Sequence, residues 1–151
     1  MQMELSRDDY MSLALVRAKE AFDDGEVPVG CIIVKDGTVI GSGRNKCEKN
    51  NDATAHAEML AIRDACESLG DWRLDGCTMY VTMEPCPMCA GAIINSRIDE
   101  LVFGVRDTQK GAVGSVVDLF SENFGRKVKV YPNVLENESR SLLKTFFEGI
   151  R

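Results

Sequence analysis

The residues of this sequence that are best suited to chemistry fall in two short motifs. Residues 55–58 are AHAE and contain His56, the only histidine of the chain, two positions before Glu58. Residues 84–89 are EPCPMC and place Cys86 and Cys89 in Cys-x-x-Cys spacing. One imidazole and two thiolates suit Zn²⁺ by ligand softness, and three protein ligands leave a tetrahedral position for water. The two motifs indicate a three-ligand zinc site of the catalytic kind.

Three other interpretations of these residues remain open. A structural zinc site would need a fourth ligand from Cys31, Cys47, Cys66 or Cys77, none of which stands in ligand-type spacing. The Cys-x-x-Cys pair alone would fit a thioredoxin-like redox centre. His56 could be the base of a serine hydrolase, although the chain contains no Gly-x-Ser-x-Gly motif.

Glu58 is the candidate for proton transfer. A carboxylate beside a zinc-bound water can take the proton of that water and return it to a leaving group. Two residues correspond to about 200° of helix, so the side chains of His56 and Glu58 would not share a face in the middle of a helix. At the first turn, both can still reach the space in front of the amino end of the helix. The alternative is an ordinary solvated glutamate. We expect Glu58 to be the general acid–base.

The surrounding pattern predicts elements that would place both motifs at helix starts. Apolar spacing, capping residues and β-branched runs predict helices over about residues 6–25, 55–69, 87–95 and 135–150, and strands over 29–35, 38–42, 77–83, 99–105 and 128–131. Thr54 is the expected cap of the second helix, and residues 43–53 are expected to form a loop. Strands alternating with helices favour a mixed sheet covered by helices on both faces.

Composition and charge restrict the class of protein. The 151 residues are 44% hydrophobic and 28% charged, and no apolar run reaches the length of a membrane helix. The first residues, MQMEL, contain no signal-peptide pattern, so we expect a cytoplasmic protein without a disulfide scaffold. The net charge is −6, but residues 1–96 contribute −7 and residues 97–151 contribute +1. Any cationic face for nucleic acid is therefore local and lies mainly in the second half.

Both motifs belong to a longer set of matching segments. His-x-Glu followed by Pro-Cys-x-x-Cys is the signature of zinc deaminases of nucleobases. The chain resembles the bacterial tRNA-specific adenosine deaminases, of the cytidine/deoxycytidylate deaminase superfamily, over nearly its whole length. The segments that carry the resemblance are GEVPVG (25–30), Asn45, AHAE (55–58), AIR (61–63), YVTMEPCPMCAGAI (80–93), VFG (102–104), RD (106–107), GAVGS (111–115), LL (142–143) and FF (146–147).

The resemblance implies a fold, an activity and a metal. The fold would be a cytidine-deaminase-like three-layer α/β/α sandwich with a five-stranded mixed sheet, formed by a single zinc-dependent deaminase domain over residues 1–151. The activity would be hydrolysis of adenosine to inosine at the wobble position of a tRNA anticodon, with release of ammonia. The protein would be a homodimer with one Zn²⁺ per chain, held by His56, Cys86 and Cys89.

The resemblance also assigns residues to the substrate. Asn45 would hydrogen-bond the base, and Asp107 would lie near the neighbouring nucleotide. The pocket would be lined by Val29, Ala57, Met83, Glu84 and Pro85. Cations expected to contact RNA phosphates are Arg106, Lys110, Arg126, Lys127 and Lys129.

Two other functions compete with tRNA editing. A zinc deaminase of a free nucleobase or nucleoside, such as guanine or cytosine, would agree better with the acidic pI of 4.9. A non-catalytic, zinc-stabilised interaction module would require four zinc ligands and would give Glu58 no role.

Overall fold

The computed structural model describes residues 5–150. Its elements, in chain order, are α1 (Arg7–Asp23), β1 (Gly30–Lys35), β2 (Thr38–Arg44), α2 (Cys47–Asn50), α3 (Ala57–Leu69), β3 (Cys77–Met83), α4 (Pro87–Asn95), β4 (Glu100–Val105), a 3₁₀ turn η1 (Leu119–Ser121), β5 (Lys129–Tyr131) and α5 (Glu136–Gly149). No helix among the described residues is both long and apolar enough to cross a membrane.

The strands form one mixed sheet in the order β2-β1-β3-β4-β5. β1 is antiparallel to both β2 and β3, whereas β3, β4 and β5 run parallel to one another. The prediction of a five-stranded mixed sheet is confirmed. Because β1 is antiparallel to β3, the start of β1 and the ends of β3 and β4 share one edge of the sheet.

Alternation along the strands separates two apolar cores. On β1, Cys31 and Ile33 face one core, while Ile32 and Val34 face the other. The first core is shared with α3 and α4, and the second with α1. Helices therefore cover both faces of the sheet, as the period-two pattern predicts. This is the expected three-layer α/β/α arrangement.

Two local predictions are wrong. Thr54 does not cap α3, because its backbone amide and hydroxyl both donate to Asp52 Oδ1, at 2.8 and 2.7 Å. The N-cap is His56, whose backbone is extended (φ −74°, ψ 153°). Residues 43–53 are not all loop, since β2 runs to Arg44 and a four-residue helix, α2, follows it.

Glycines on β2 let α3 lie close against the sheet. A Cβ atom on Gly43 would lie 2.7 Å from the backbone nitrogen of Ala61 and would force the helix away. This close approach fixes the first turn of α3, which carries the AHAE motif, against the end of β2.

Candidate active site

The candidate site lies at the edge where the parallel strands end. Met83 and Val105, the last residues of β3 and β4, pair in register. The carboxyl ends of parallel strands are where α/β proteins commonly bind ligands. Helices α3 and α4 both begin at this edge, so their amino ends converge on it.

His56, Cys86 and Cys89 come together at these helix starts. His56 Nδ1 lies 3.6 Å from Cys86 Sγ and 3.5 Å from Cys89 Sγ. The three ligand atoms all lie within 4.8 Å of one another. Nitrogen and sulfur ligands of one tetrahedral zinc ion would be separated by about 3.5 Å, given the usual bond lengths. This group of side chains therefore has the spacing needed to hold a metal ion.

The local sequence explains why the ligands converge. His56 is the N-cap of α3, and Cys86 is the N-cap of α4, with an extended backbone in both cases. Pro87 occupies the first position of α4, where its missing N–H is not needed. Cys89 is then in the first turn of α4 and fully buried. Two N-cap positions and one first-turn position thus meet in space.

The electrostatics of the cluster favour a thiolate. The pKa of Cys86 is lowered to about 4 because its sulfur accepts hydrogen bonds, first from the Cys89 thiol and then from His56. The same contact with Cys86, together with burial, raises the pKa of Cys89. The Cys86 hydrogen bond also raises the pKa of His56. Burial raises the pKa of Glu58 to about 7.

A cavity of about 960 Å³ opens above the cluster. His56, Glu58 and Cys86 all line it, so the side chains of the two motifs reach a common space. Glu58 is only 4% exposed, which contradicts the alternative of a solvated helix glutamate. Glu58 is not a member of the three-residue metal-binding group.

The residues expected in the pocket occupy two layers. Val29, Asn45 and Met83 line the cavity. Ala57 and Pro85 are buried and are not among the lining residues. The Ala57 amide donates to Asn45 Oδ1 at 2.9 Å.

Glu84 and Asp107 also line the cavity, but their carboxylates are engaged with the protein. Glu84 accepts hydrogen bonds from the backbone amides of Asp107, Val113 and Ser115. Asp107 Oδ1 accepts from the amides of Gln109 and Lys110, at 3.0 and 3.2 Å. Each carboxylate therefore shapes the chain around the cavity.

The five cations expected to contact RNA do not form one surface. Arg106 and Lys110 line the cavity. Lys129 instead pairs with Glu100, the first residue of β4, so it lies about 17 Å from the strand end at the cavity. Arg126 donates to Asp99 Oδ1 at 3.0 Å and to the carbonyl oxygen of Arg97 at 3.1 Å. Three of the five cations do not line the cavity: Arg126, Lys127 and Lys129. The Arg126 guanidinium forms ion pairs with Asp75 and Asp99.

Two parts of the cavity were missed by sequence reasoning. Glu26 is a buried carboxylate whose two oxygens accept from the amides of Glu48 and Lys49, at 3.1 and 2.8 Å, and so hold α2 at the rim. The sequence pattern that could have indicated a buried Glu26 is its position directly before the apolar residues 27–29. Another part of the lining is formed by α5 through Leu143, Phe146 and Phe147, and through Ile150 beyond its end. No sequence spacing links α5 to the motifs, so this contact was not predictable.

Comparisons with known proteins agree with this geometry. Residues 5–151 match the family described as MafB19-like deaminase. The chain is 45% identical to the tRNA-specific adenosine deaminase of Bacillus subtilis over 94% of this chain and 89% of that protein. It is 46% identical to the protein of the same name from Agrobacterium fabrum, over 96% of each chain.

A solved structure is similar in both sequence and fold. It comes from a study of A-to-I editing by tRNA:A34 deaminases at the wobble position of transfer RNA. It is 47% identical, covers 89% of this chain and 98% of its own, and superimposes with a TM-score of 0.86. The chain belongs to the MafB19-like deaminases and to the family of tRNA-specific adenosine deaminases.

Proposed function

We propose that this protein is a zinc-dependent hydrolase that converts adenosine to inosine at the wobble position of tRNA and releases ammonia. The observation that carries the proposal is the cluster of His56, Cys86 and Cys89 beside the buried Glu58, at the floor of one cavity. The full-length similarity to tRNA-specific adenosine deaminases supports the choice of substrate.

The donor set supports zinc as the metal. One imidazole nitrogen and two sulfurs match the ligands of zinc sites, and three protein ligands suit a catalytic rather than a structural site. Zn²⁺ held by His56, Cys86 and Cys89 would supply an activated water for hydrolysis.

The side chains of the protein would manage the protons and the base. Glu58, buried at the cavity floor, would take the two protons of the attacking water in turn and deliver them to the ring nitrogen beside the reacting carbon and to the departing amino group. Asn45 is held by the Ala57 amide through its oxygen, which leaves its amino group to donate to an acceptor atom of the base. Val29 and Met83 would pack against the base.

The lining of the cavity rim supports a nucleotide within RNA over a free base. Pockets for small ligands have volumes of roughly 300–1,000 Å³, and this cavity of about 960 Å³ lies at the upper end. Its rim carries Arg106 and Lys110, which could meet phosphates, and the exposed ring of Phe147, on which an unstacked base could lie. Single-stranded anticodon loops present such bases.

The proposal extends to the assembly and location of the protein. One sheet takes strands from Gly30 to Tyr131, which supports a single deaminase domain. Val116 and Val117 are exposed and lie just before η1, which packs on α4. Their apolar side chains would suit the interface of a homodimer. A tRNA substrate would place the enzyme in the cytoplasm.

The deciding experiment offers the purified protein four substrates. A tRNA carrying adenosine at the wobble position should be converted to the inosine form. Free adenosine, guanine and cytosine should react far more slowly. Preferred deamination of a free base would contradict the proposal and favour a nucleobase deaminase.

A further inference from the structure

The Glu84 side chain is fully buried, with an exposed fraction of 0%. Its Oε1 atom accepts hydrogen bonds from the Asp107 amide at 3.1 Å and from the Ser115 hydroxyl. Its Oε2 atom accepts from the amides of Val113 and Ser115, at 3.0 and 3.1 Å. All four donors lie between residues 107 and 115, a segment we name the 107–115 loop. A carboxylate used in this way does not have its oxygens free for a substrate.

The 107–115 loop depends on this carboxylate for its position. The loop forms turns and no helix or strand. Besides the bonds to Glu84, the Ala112 amide donates to the carbonyl oxygen of Pro85 at 2.8 Å. Glu84 and Pro85 therefore both bind the loop, whose Ala112 and Val113 side chains are also buried in the core. They are the two residues before Cys86, a member of the metal-binding group.

Close packing makes the anchor sensitive to small changes. A Cβ atom on Gly111 would lie 2.5 Å from Glu84 Oε2, so the backbone of the loop rests directly on the carboxylate. Three backbone amides donate to only two carboxylate oxygens. Replacing either oxygen by an NH₂ group would therefore place a donor against at least one backbone donor.

The loop carries groups that face the cavity. Asp107 and Lys110 line it, and the Asp107 backbone amide is one of the donors to Glu84. Arg106 Nη1 lies 3.9 Å from Glu84 Oε1 and also lines the cavity. A shift of the carboxylate would move these three residues together, while His56 and Glu58 sit on a different element, at the start of α3.

We propose that Glu84 is a positioning residue that sets how the nucleotides beside the target adenosine are held, by fixing the 107–115 loop. This inference rests on the proposed function, because it concerns an adenosine within RNA. Glu84 itself does not contact substrate. Its role is exerted through Asp107 and the neighbouring cations.

The test compares Glu84→Gln with the wild type on three anticodon stem-loop RNAs. One has the natural neighbours of the wobble adenosine, and the other two carry a changed nucleotide on either side. We expect the variant to retain its zinc, to show little change in kcat and to have KM raised about tenfold, as for the loss of a hydrogen bond to a charged group. Its preference for the natural neighbours should decrease.

Two further measurements separate positioning from general damage. Hydrogen exchange should become faster at the amides of residues 107, 113 and 115 in Glu84→Gln, a readout that does not depend on activity. Asp107→Ala should reduce the same neighbour preference, and the double variant should add little to it, because both act through one loop. The matched control is Glu26→Gln, which replaces a buried carboxylate bonded to α2 and not to the 107–115 loop, and which should leave exchange in that loop as it is.

Several outcomes would overturn the inference. A Glu84→Gln enzyme with unchanged exchange in the loop, or with intact neighbour preference and a lower kcat, would show that Glu84 acts elsewhere. If Glu84→Gln does not fold, Ser115→Ala removes one donor only, and full neighbour preference in that variant would contradict the proposal. A wild type that fails to deaminate any of the RNAs would contradict the proposed function, whereas an active wild type with an indifferent Glu84→Gln contradicts only the positioning role.

Discussion

The Ala57 backbone amide donates a hydrogen bond to Asn45 Oδ1 over 2.9 Å. This bond joins the residue after β2 to the first residue of α3, immediately beside His56. The oxygen of the Asn45 amide thus belongs to the fold, and the amino group is the part left to face the cavity that Asn45 lines.

Replacing the amino group of the Asn45 side chain by oxygen should separate the structural role of this amide from its role in binding the base. Asn45→Asp retains the acceptor for the Ala57 amide and places a carboxylate at a helix start, which is favourable. It removes the amino donor, so we expect normal thermal stability and zinc content with kcat/KM lowered by about a hundredfold. Asn45→Ala should lose both stability and activity. Full activity in Asn45→Asp would show that the amino group does not bind the base.

Glu58 should be needed for the reaction and not for the metal. Glu58→Gln retains nearly the same volume at a position that is 4% exposed, and it removes the group that would carry protons. We expect a fall in single-turnover rate of about 10³-fold, within the usual range for a general acid–base. Zinc should be measured on the same sample. Loss of zinc in this variant would make Glu58 a ligand, and near-normal activity would assign proton transfer to another group.

The convergence of His56, Cys86 and Cys89 could be predicted from the sequence better than their surroundings, because it follows local rules. His56, Cys86 and Cys89 are placed by two helix starts, and helix starts have recognisable residue patterns. Even so, the pattern favoured Thr54 as the cap of α3, and a bond between neighbouring side chains, Thr54 to Asp52, decided against it. The N-cap is His56, whose side chain makes no capping hydrogen bond.

Features that depend on distant segments could not be predicted. Arg126 resembled a free cation in the sequence, yet Asp99 and Asp75 reach its guanidinium from other loops. Likewise, the periodicity of α5 predicted an amphipathic helix but gave no sign that Phe147 would stand at the cavity. Chain topology, and not local composition, determines both contacts.

Metal content should depend on the cluster alone. His56→Ala or Cys86→Ala should abolish stoichiometric zinc and activity, because each removes one of three ligands. Cys66→Ala is the matched control, since Cys66 lies on α3 outside the cluster and its thiol donates to the Trp72 carbonyl oxygen, at 3.7 Å. Elemental analysis should give about one zinc per chain for the wild type and for Cys66→Ala. Full zinc retention in Cys86→Ala would reject the cluster as the metal site.

The cations on the cavity rim should differ from those at the far end of the sheet. Lys110 lines the cavity, whereas Lys127 precedes β5, whose residue Lys129 pairs with the start of β4. Lys110→Ala should weaken binding of an anticodon stem-loop and reduce the slope of log K against log salt by roughly one unit. Lys127→Ala should leave both quantities unchanged. Equal effects of the two variants would mean that RNA extends over the far end as well.

Phe147 should bind RNA without taking part in the chemistry. The residue is 48% exposed and lines the cavity from α5, and its ring packs edge-on against that of Phe146, with ring centroids 5.3 Å apart at 81°. A braced and exposed ring can stack with an unpaired base, a contact that contributes about 1–3 kcal/mol.

The variant Phe147→Ala should therefore raise KM for an anticodon stem-loop by about tenfold. It should leave the slow deamination of free adenosine unchanged, because a single nucleoside at the cavity floor has no neighbouring base to place on the ring. Phe124→Ala is the matched control, since Phe124 is 57% exposed and does not line the cavity. If Phe147→Ala lowers both activities equally, the ring supports the fold of the cavity and not a neighbouring base. If neither activity changes, the flanking nucleotides pass along another wall, and the rim formed by α2 becomes the surface to test.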